Sequence, residues 1–479
     1  MRVIKIINFS NIRKTDIVSQ VEKIFLLRNE IKMNVDFVGV GCKLDELGAI
    51  MIALIGYIGA CVISFALRYM RGDVKYHSFF LRILLLICSV AIMVTSDNLW
   101  VLFISLCISN LILVSLMIHK SKWKAAKASG VVAAKNYLLS AILMASAFGL
   151  FYFSTGQNSI SAITNQSHNS IIIDLALLLL LMAAMAQSAI WPFHKWLLSS
   201  LNSPTPVSAI MHAGLINAGG FLLVRFSHLY SQNDIIMNVI FILGITSALI
   251  GTLWKLMQSD VKRMLACSTM GQMGFMFAQV GLGLFPLAIA HLCWHGMFKA
   301  YLFLASGGAA QEKRLDPSYP PTPLSFACAV LCGAFGSVIF SYAANKTWLA
   351  GDSTLVLMVI VFLAGSQLSL SMLNTLNFKN FVLACLITMI AAIIYGGSTQ
   401  FIMWILEPMK LMHVQPLNIF HILGIFVLSF AWLCILFIRS PSKNIGKHSH
   451  WLRKAYVMAL NYSQPQQGTI TSHRNHYQY

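Results

Sequence analysis

Apolar runs of roughly 17–25 residues, the length needed to cross a hydrocarbon core of about 30 Å as helix, recur about thirteen times along this chain. They lie near 47–68, 79–95, 98–118, 134–153, 171–190, 205–229, 236–256, 263–283, 285–306, 323–343, 354–372, 380–396 and 418–438. Short polar links separate them. The pattern predicts an all-α polytopic membrane protein of about 13 transmembrane helices. The apolar domain spans 44–440, between a basic N-terminal segment (1–43) and a polar tail (441–479). Within the tail, 451–461 reads as a short interfacial helix, and the remainder reads as unstructured.

Composition agrees: 58% of the 479 residues are hydrophobic and 10% are charged, against about 25% charged in an ordinary soluble domain. The net charge of +19 does not indicate nucleic acid, because the bases cluster in the links. Arg68, Arg71, Lys75 and Arg82 mark one side of the membrane, as do Lys120 to Lys127, Lys262 with Arg263, Lys313 with Arg314, and the tail from Arg439 to Lys454. The intervening links 154–170 and 230–235 carry no Lys or Arg. The positive-inside rule makes the charged side cytoplasmic, the C-terminus included. The basic segment before Glu46 then falls outside. Either a span is miscounted or this segment is not an ordinary leader; translation starting at Met33 would leave only Lys43 there and remove the conflict.

One apolar segment carries titratable groups at helical spacing. In IAHLCWHGMFKAYLFL (289–304), His291, His295 and Lys299 stand four apart, so their side chains share one helix face. Charge at the bilayer centre costs roughly 2.5–3.5 kcal/mol even on lenient scales, so this face must look into protein or a wet cavity. Such a row suits a proton or ion relay. His-x-x-x-His is also a zinc spacing, but no nearby acid completes a metal site. His212, in PVSAIMHAGLINAGGFLLVRF, sits among small residues that permit close helix approach; it reads as a buried packing histidine or as a further relay group. Pro192, Pro204 and Pro206, in WPFHKW and SPTP, predict broken or re-entrant backbone, tolerated at membrane depth only beside protein or a water-filled cavity. Asp260 reads as a helix cap.

No nucleotide-binding glycine fingerprint and no C-x-x-C pair occurs among the ten cysteines. Neither catalytic chemistry nor a cofactor is expected in this chain itself.

The segments DVKRMLACSTMGQMGFMF, AIAHLCWHGMFKAYLFLASG and SPTPVSAIMHAGLINAGGFLLVRF resemble the antiporter-like membrane subunits of respiratory complex I and Mrp sodium/proton antiporters. WPFHKWLLSSLNSPTPVSAIMHAGLINAGGFLL, SFALRYMRGD and WLRKAYVMALN are nearest to the DabB-type branch, membrane subunits of inorganic-carbon pumps. The likeness runs from about Leu44 to Asn461. It implies two inverted five-helix repeats with broken helices, and an ion path through His212, His291, His295 and Lys299, with Gln187 on its first-half portion. It further implies a bacterial inner-membrane location and a DabA-like peripheral zinc subunit resembling β-carbonic anhydrases. That partner, not this chain, would hold the zinc, and a proton or sodium gradient would drive CO2 hydration to bicarbonate. Expected partners are thus the zinc subunit, membrane lipid, and protons or sodium ions, with no nucleic acid.

The chain departs from the family pattern in places. Gln187 stands where relatives carry a Lys, and Cys107 or a close neighbour stands where complex I relatives carry a Glu. One or two N-terminal helices are unmatched before Leu44, and the long C-terminal lateral helix of the largest complex I subunit is not seen. Two other readings therefore stand beside the carbon pump: a subunit of an NADH-quinone oxidoreductase or multisubunit cation/proton antiporter, and a non-conducting scaffold that docks a partner.

Overall fold

The computed structural model describes residues 41–166, 170–308, 321–347, 351–373, 377–438 and 450–470. Each of the thirteen apolar segments forms a helix. In chain order these are α1 (Glu46–Tyr69), α2 (Tyr76–Thr95), α3 (Leu99–Met117), α4 (Lys124–Thr155) and α5 (Ile171–Gln187). A one-turn helix α6 (Lys195–Leu198) precedes α7 (Thr205–Ala213) and α8 (Ala218–Arg225), which together make one span with a tightened turn between them. Then come α9 (Asp234–Met257), α10 (Val261–Gly281), α11 (Phe285–Ala305), α12 (Pro323–Ala343), α13 (Thr354–Met372), α14 (Phe378–Leu406) and α15 (Ile419–Ile438).

Among the described residues, 11 helical spans are long and apolar enough to cross a membrane. Of the expected thirteen, α5 falls short in length at 17 residues. The other, α10, carries Lys262, Arg263 and a run of small and polar residues, and is fully enclosed over much of its length. Thr269 and Gln279 on it face protein rather than lipid, so hydropathy alone does not mark it.

The links define the helix starts. Asp45, Asn98, Ser170, Asn233, Asp260, Thr322 and Asn377 each accept a hydrogen bond from a first-turn N–H, satisfying donors that lipid cannot. Prolines open α7, α11 and α12, where the missing N–H costs nothing.

At the centre, α7–α8 is almost entirely enclosed by protein, whereas α15 is the least enclosed span. Beside it, α9 and α10 approach backbone to backbone through glycines. A Cβ on Gly251 would stand 2.5 Å from the Gly271 nitrogen, and one on Gly274 2.4 Å from the Ala248 nitrogen. Small residues of this kind are what permits close helix contact in lipid.

The two ends of the bundle are knitted differently. At one, Arg225 pairs with Asp45 and donates to the Val94 carbonyl at 2.6 Å, while residues 412–415 run alongside 282–284. At the other, with the basic links, the chain after α16 (His450–Tyr462) is tied down. Gln258 donates to Ser463 at 2.8 Å, Arg263 to Gln464 at 2.9 Å, and Asn202 to the Thr469 carbonyl at 2.8 Å. The expectation of an unstructured tail thus fails for 463–470: polar side chains, not apolar periodicity, hold it. It lies on the face of Lys262 and Arg263, as the charge pattern requires. The expected N-terminal segment lies outside the described residues up to position 40, as do 441–449 and 471–479 of the tail.

Candidate functional site

The lateral wall of α11 holds the titratable row. His291, His295 and Lys299 are all buried, Lys299 with 1% of its surface exposed. The two imidazoles lie nearly parallel, 6.2 Å apart with planes 14° off, and His291 also meets Phe275 edge-on at 5.0 Å. Neither Nε2 atom has a hydrogen-bond partner among the described residues. Buried imidazole nitrogens without protein partners call for water or a passing ion. Lys299 Nζ donates to Ser268 Oγ at 2.8 Å, which fixes the amine against α10.

A cavity of 510 Å³ runs along this row between α11, α12, α13 and α14. Its polar groups include His291, His295, Lys299, Ser268, Gln272, Lys255, Thr388 and Tyr395, and apolar side chains make up most of the rest. The sequence argument required a face turned toward protein or a wet cavity, and this space answers it.

His212 joins the row from α7. Its ring stacks on Phe303 at 4.2 Å, one turn beyond Lys299. Its Nδ1 lies 3.2 Å from Thr269 Oγ1. The Thr269 hydroxyl already donates to the Leu265 carbonyl at 2.9 Å and has only one proton. The network therefore assigns the His212 proton to Nδ1, with the hydroxyl oxygen accepting, and leaves Nε2 as the basic nitrogen.

Gln187 sits elsewhere, at the end of α5, wholly buried. Its carboxamide exchanges two hydrogen bonds with Asn110 on α3, at 2.9 and 3.2 Å. Asn110 is therefore its partner, one helical turn beyond Cys107. Amides do not ionise near neutral pH, so this pair can orient groups or water but cannot carry charge.

The backbone breaks directly after Gln187. Ala189 adopts φ 54°, rare without glycine, and Pro192 offers no donor. Side chains replace the lost helical bonds. Asn136 Nδ2 and Trp196 Nε1 both donate to the Ala186 carbonyl, at 2.8 and 3.1 Å, and Ser140 donates to that of Ala183 at 2.9 Å. Trp191 N donates to Ser247 at 3.2 Å. Pro192 thus lies in the interruption, whereas Pro204 and Pro206 open α7. The second-half helices α12, α13 and α14 run uninterrupted over their described residues.

Sequence reasoning missed Asn110, Ser268, Thr269 and Gln272. Asn110, Ser268 and Thr269 are small or uncharged polar residues whose partners lie on other helices, and Gln272 is marked only by the cavity it lines, so spacing along their own segments reveals nothing.

A family model described as NADH:quinone oxidoreductase/Mrp antiporter, TM, matches residues 96–319, and one described as NADH-Ubiquinone oxidoreductase (complex I), chain 5 N-terminus, matches 33–80. "Probable inorganic carbon transporter subunit DabB1" of Halothiobacillus neapolitanus is 35% identical over 58% of this chain and 52% of its own length. "Probable inorganic carbon transporter subunit DabB" of Bacillus subtilis is 38% identical over 56% and 53%. NADH-quinone oxidoreductase subunit L of Campylobacter jejuni is 32% identical over 58% and 48%. The chain spans about half the length of the curated relatives it matches. Among solved structures, the Mrp complex from Dietzia sp. DQ12-45-1b shares the fold, with a TM-score of 0.55 at 21% identity over 90% of this chain and 46% of that chain.

Proposed function

Because the chain belongs to the NADH:quinone oxidoreductase/Mrp antiporter membrane family, we propose that it is the cation-coupled membrane subunit of an inorganic-carbon pump. Likeness to the DabB proteins supports this branch. The observation that carries the coupling role is the buried row His291–His295–Lys299, with unpartnered imidazole nitrogens along a cavity. A proton or sodium ion would move along this row, and the charge shift would act on a peripheral zinc subunit of the DabA type, where CO2 is hydrated to bicarbonate. The zinc chemistry belongs to that partner. Gln187 and Asn110, unable to ionise, serve this reading as a structural clasp in the first half.

The same family includes quinone-linked oxidoreductase subunits, so the second reading is an antiporter-like subunit of such a complex. Purification of the tagged chain with mass spectrometry and metal analysis separates the two: a large zinc-bearing soluble partner fits the pump, respiratory or antiporter membrane subunits the alternative. For the relay, Lys299→Ala is expected to abolish bicarbonate accumulation while leaving the complex assembled. Full activity in that variant would remove Lys299 from the path.

A further inference from the structure

A second space, unconnected with the His/Lys row in its lining, opens on the basic face. It is a groove of 710 Å³ between the first turns of α4, the interruption after α5 and the chain at 466–469. Four lysines rim it, Lys124, Lys127 and Lys135 from α4 and Lys195 from α6. No Asp or Glu lines it. Its floor is apolar: Val131, Val132, Leu139, Pro192, Phe193 and Trp196.

Topology explains basic residues in a link, but not why they surround an apolar trough. On α4 the lysines and the exposed Val131 and Leu139 occur at helical spacing along one stripe, descending from the link toward the membrane. Rising 1.5 Å per residue, Lys124 to Lys135 covers about 16 Å, so the stripe runs inward from the link, with Leu139 a further turn toward the hydrocarbon. Nearby, α16 leaves Trp451, Val457 and Met458 exposed on a short basic helix, the habit of a helix lying in the interface plane. The groove's mouth is thus at headgroup depth, with its apolar wall continuing inward.

We propose that this groove binds one anionic phospholipid, its phosphate among Lys127, Lys135 and Lys195 and an acyl chain along Val131 and Leu139. A soluble acidic partner would satisfy the lysines but would have to place chain against a lipid-depth wall; a phospholipid satisfies both at once. The site also touches the broken segment. Asn136 and Trp196, which line the groove, are the two side chains that hold the Ala186 carbonyl beside Gln187. A bound lipid therefore braces the interruption, and bilayer charge becomes an input to the clasp.

The test uses the full chain in mild detergent, offered phosphatidylglycerol and phosphatidylcholine in equal amounts, with retained lipid read by native mass spectrometry. The expected result is one phosphatidylglycerol retained at least tenfold over phosphatidylcholine. Lys127→Gln/Lys135→Gln/Lys195→Gln should lose this preference, roughly fivefold per lysine, while the three Lys→Arg changes should keep it. Val131→Trp fills the wall without altering charge and should also expel the lipid, which guards against a misfolded triple variant. Equal retention of both lipids, or full preference in the Lys→Gln variant, overturns the proposal. Displacement by inorganic phosphate alone, or occupancy of the groove by an acidic protein segment in cross-linking, also overturns it. None of these readouts depends on transport, so failure here leaves the pump reading standing, and the reverse.

Discussion

The Gln187–Asn110 pair gives a quantitative test of the clasp. Both side chains are buried, and each donates to and accepts from the other. Gln187→Leu leaves the Asn110 amide enclosed with both polar atoms unsatisfied, as Asn110→Leu does for Gln187, at a cost of about 1–3 kcal/mol each. Replacing both removes the need along with the bonds, so the double variant should be destabilised by less than the two single variants summed. Interhelical hydrogen bonds inside membranes average about 0.6 kcal/mol in double-mutant cycles. The two-bond pair then predicts a coupling of about 1.2 kcal/mol. The assay is unfolding of all four proteins in mixed micelles by rising sodium dodecyl sulfate, followed by tryptophan fluorescence. Coupling under about 0.5 kcal/mol, the ordinary error of additivity, would refute the reasoning and mean that water or relaxation satisfies these amides without each other.

The remaining predictions concern other contacts. Gly274→Val pushes a side chain into the Ala248 backbone and should cost about 1–3 kcal/mol in the same assay, whereas Gly149→Ala on α4, with open space around its Cβ, should gain about 0.5–1 kcal/mol. Ser268→Ala deprives Lys299 of its hydroxyl partner and should slow cation-coupled uptake about tenfold, the worth of one charge-assisted hydrogen bond; unchanged uptake would mean that Ser268 does not position the amine. In the loop after α14, burial and then the neighbouring His228 hold His413 below the ordinary imidazole value of 6.5. The folded loop therefore resists the proton that the unfolded chain accepts, and its stability is full above about 6.5 and falls as pH drops from there toward the lowered folded value. Hydrogen exchange at 412–415 should speed up over that window in the parent and stay flat in His413→Gln.

The spans were legible because lipid leaves few choices: an apolar run of twenty residues must become helix, and its polar flanks become caps. The row on α11 was legible for a related reason, since four-residue spacing of His, His and Lys is a property of one segment. Gln187 was singled out, but its partner was not, because Asn110 lies 77 positions away and only packing of α3 against the end of α5 joins them. Ser268 and Thr269 hide among the small residues of α10 in the same way. Prolines misled in part: Pro192 interrupts the backbone, yet Pro204 and Pro206 begin α7, and the residue type alone does not distinguish a break from a start. The segment 463–470 is ordered by scattered side-chain hydrogen bonds to two distant links, which leave no periodic trace.

The enclosure of α7–α8 has a consequence for how the chain is made. This span carries His212, Asn217 and Arg225, and it packs along α11, which ends some eighty residues later. At about 5–20 residues per second, synthesis reaches that partner roughly 4–16 s after Arg225 has left the ribosome. During that interval this helix lacks its partner over the face that α11 will cover, His212 included. It must wait at the insertion machinery or borrow shelter from α1, whose Asp45 can already take Arg225. Loss of that ion pair should therefore appear first as poor yield of inserted chain, before any defect in the finished molecule.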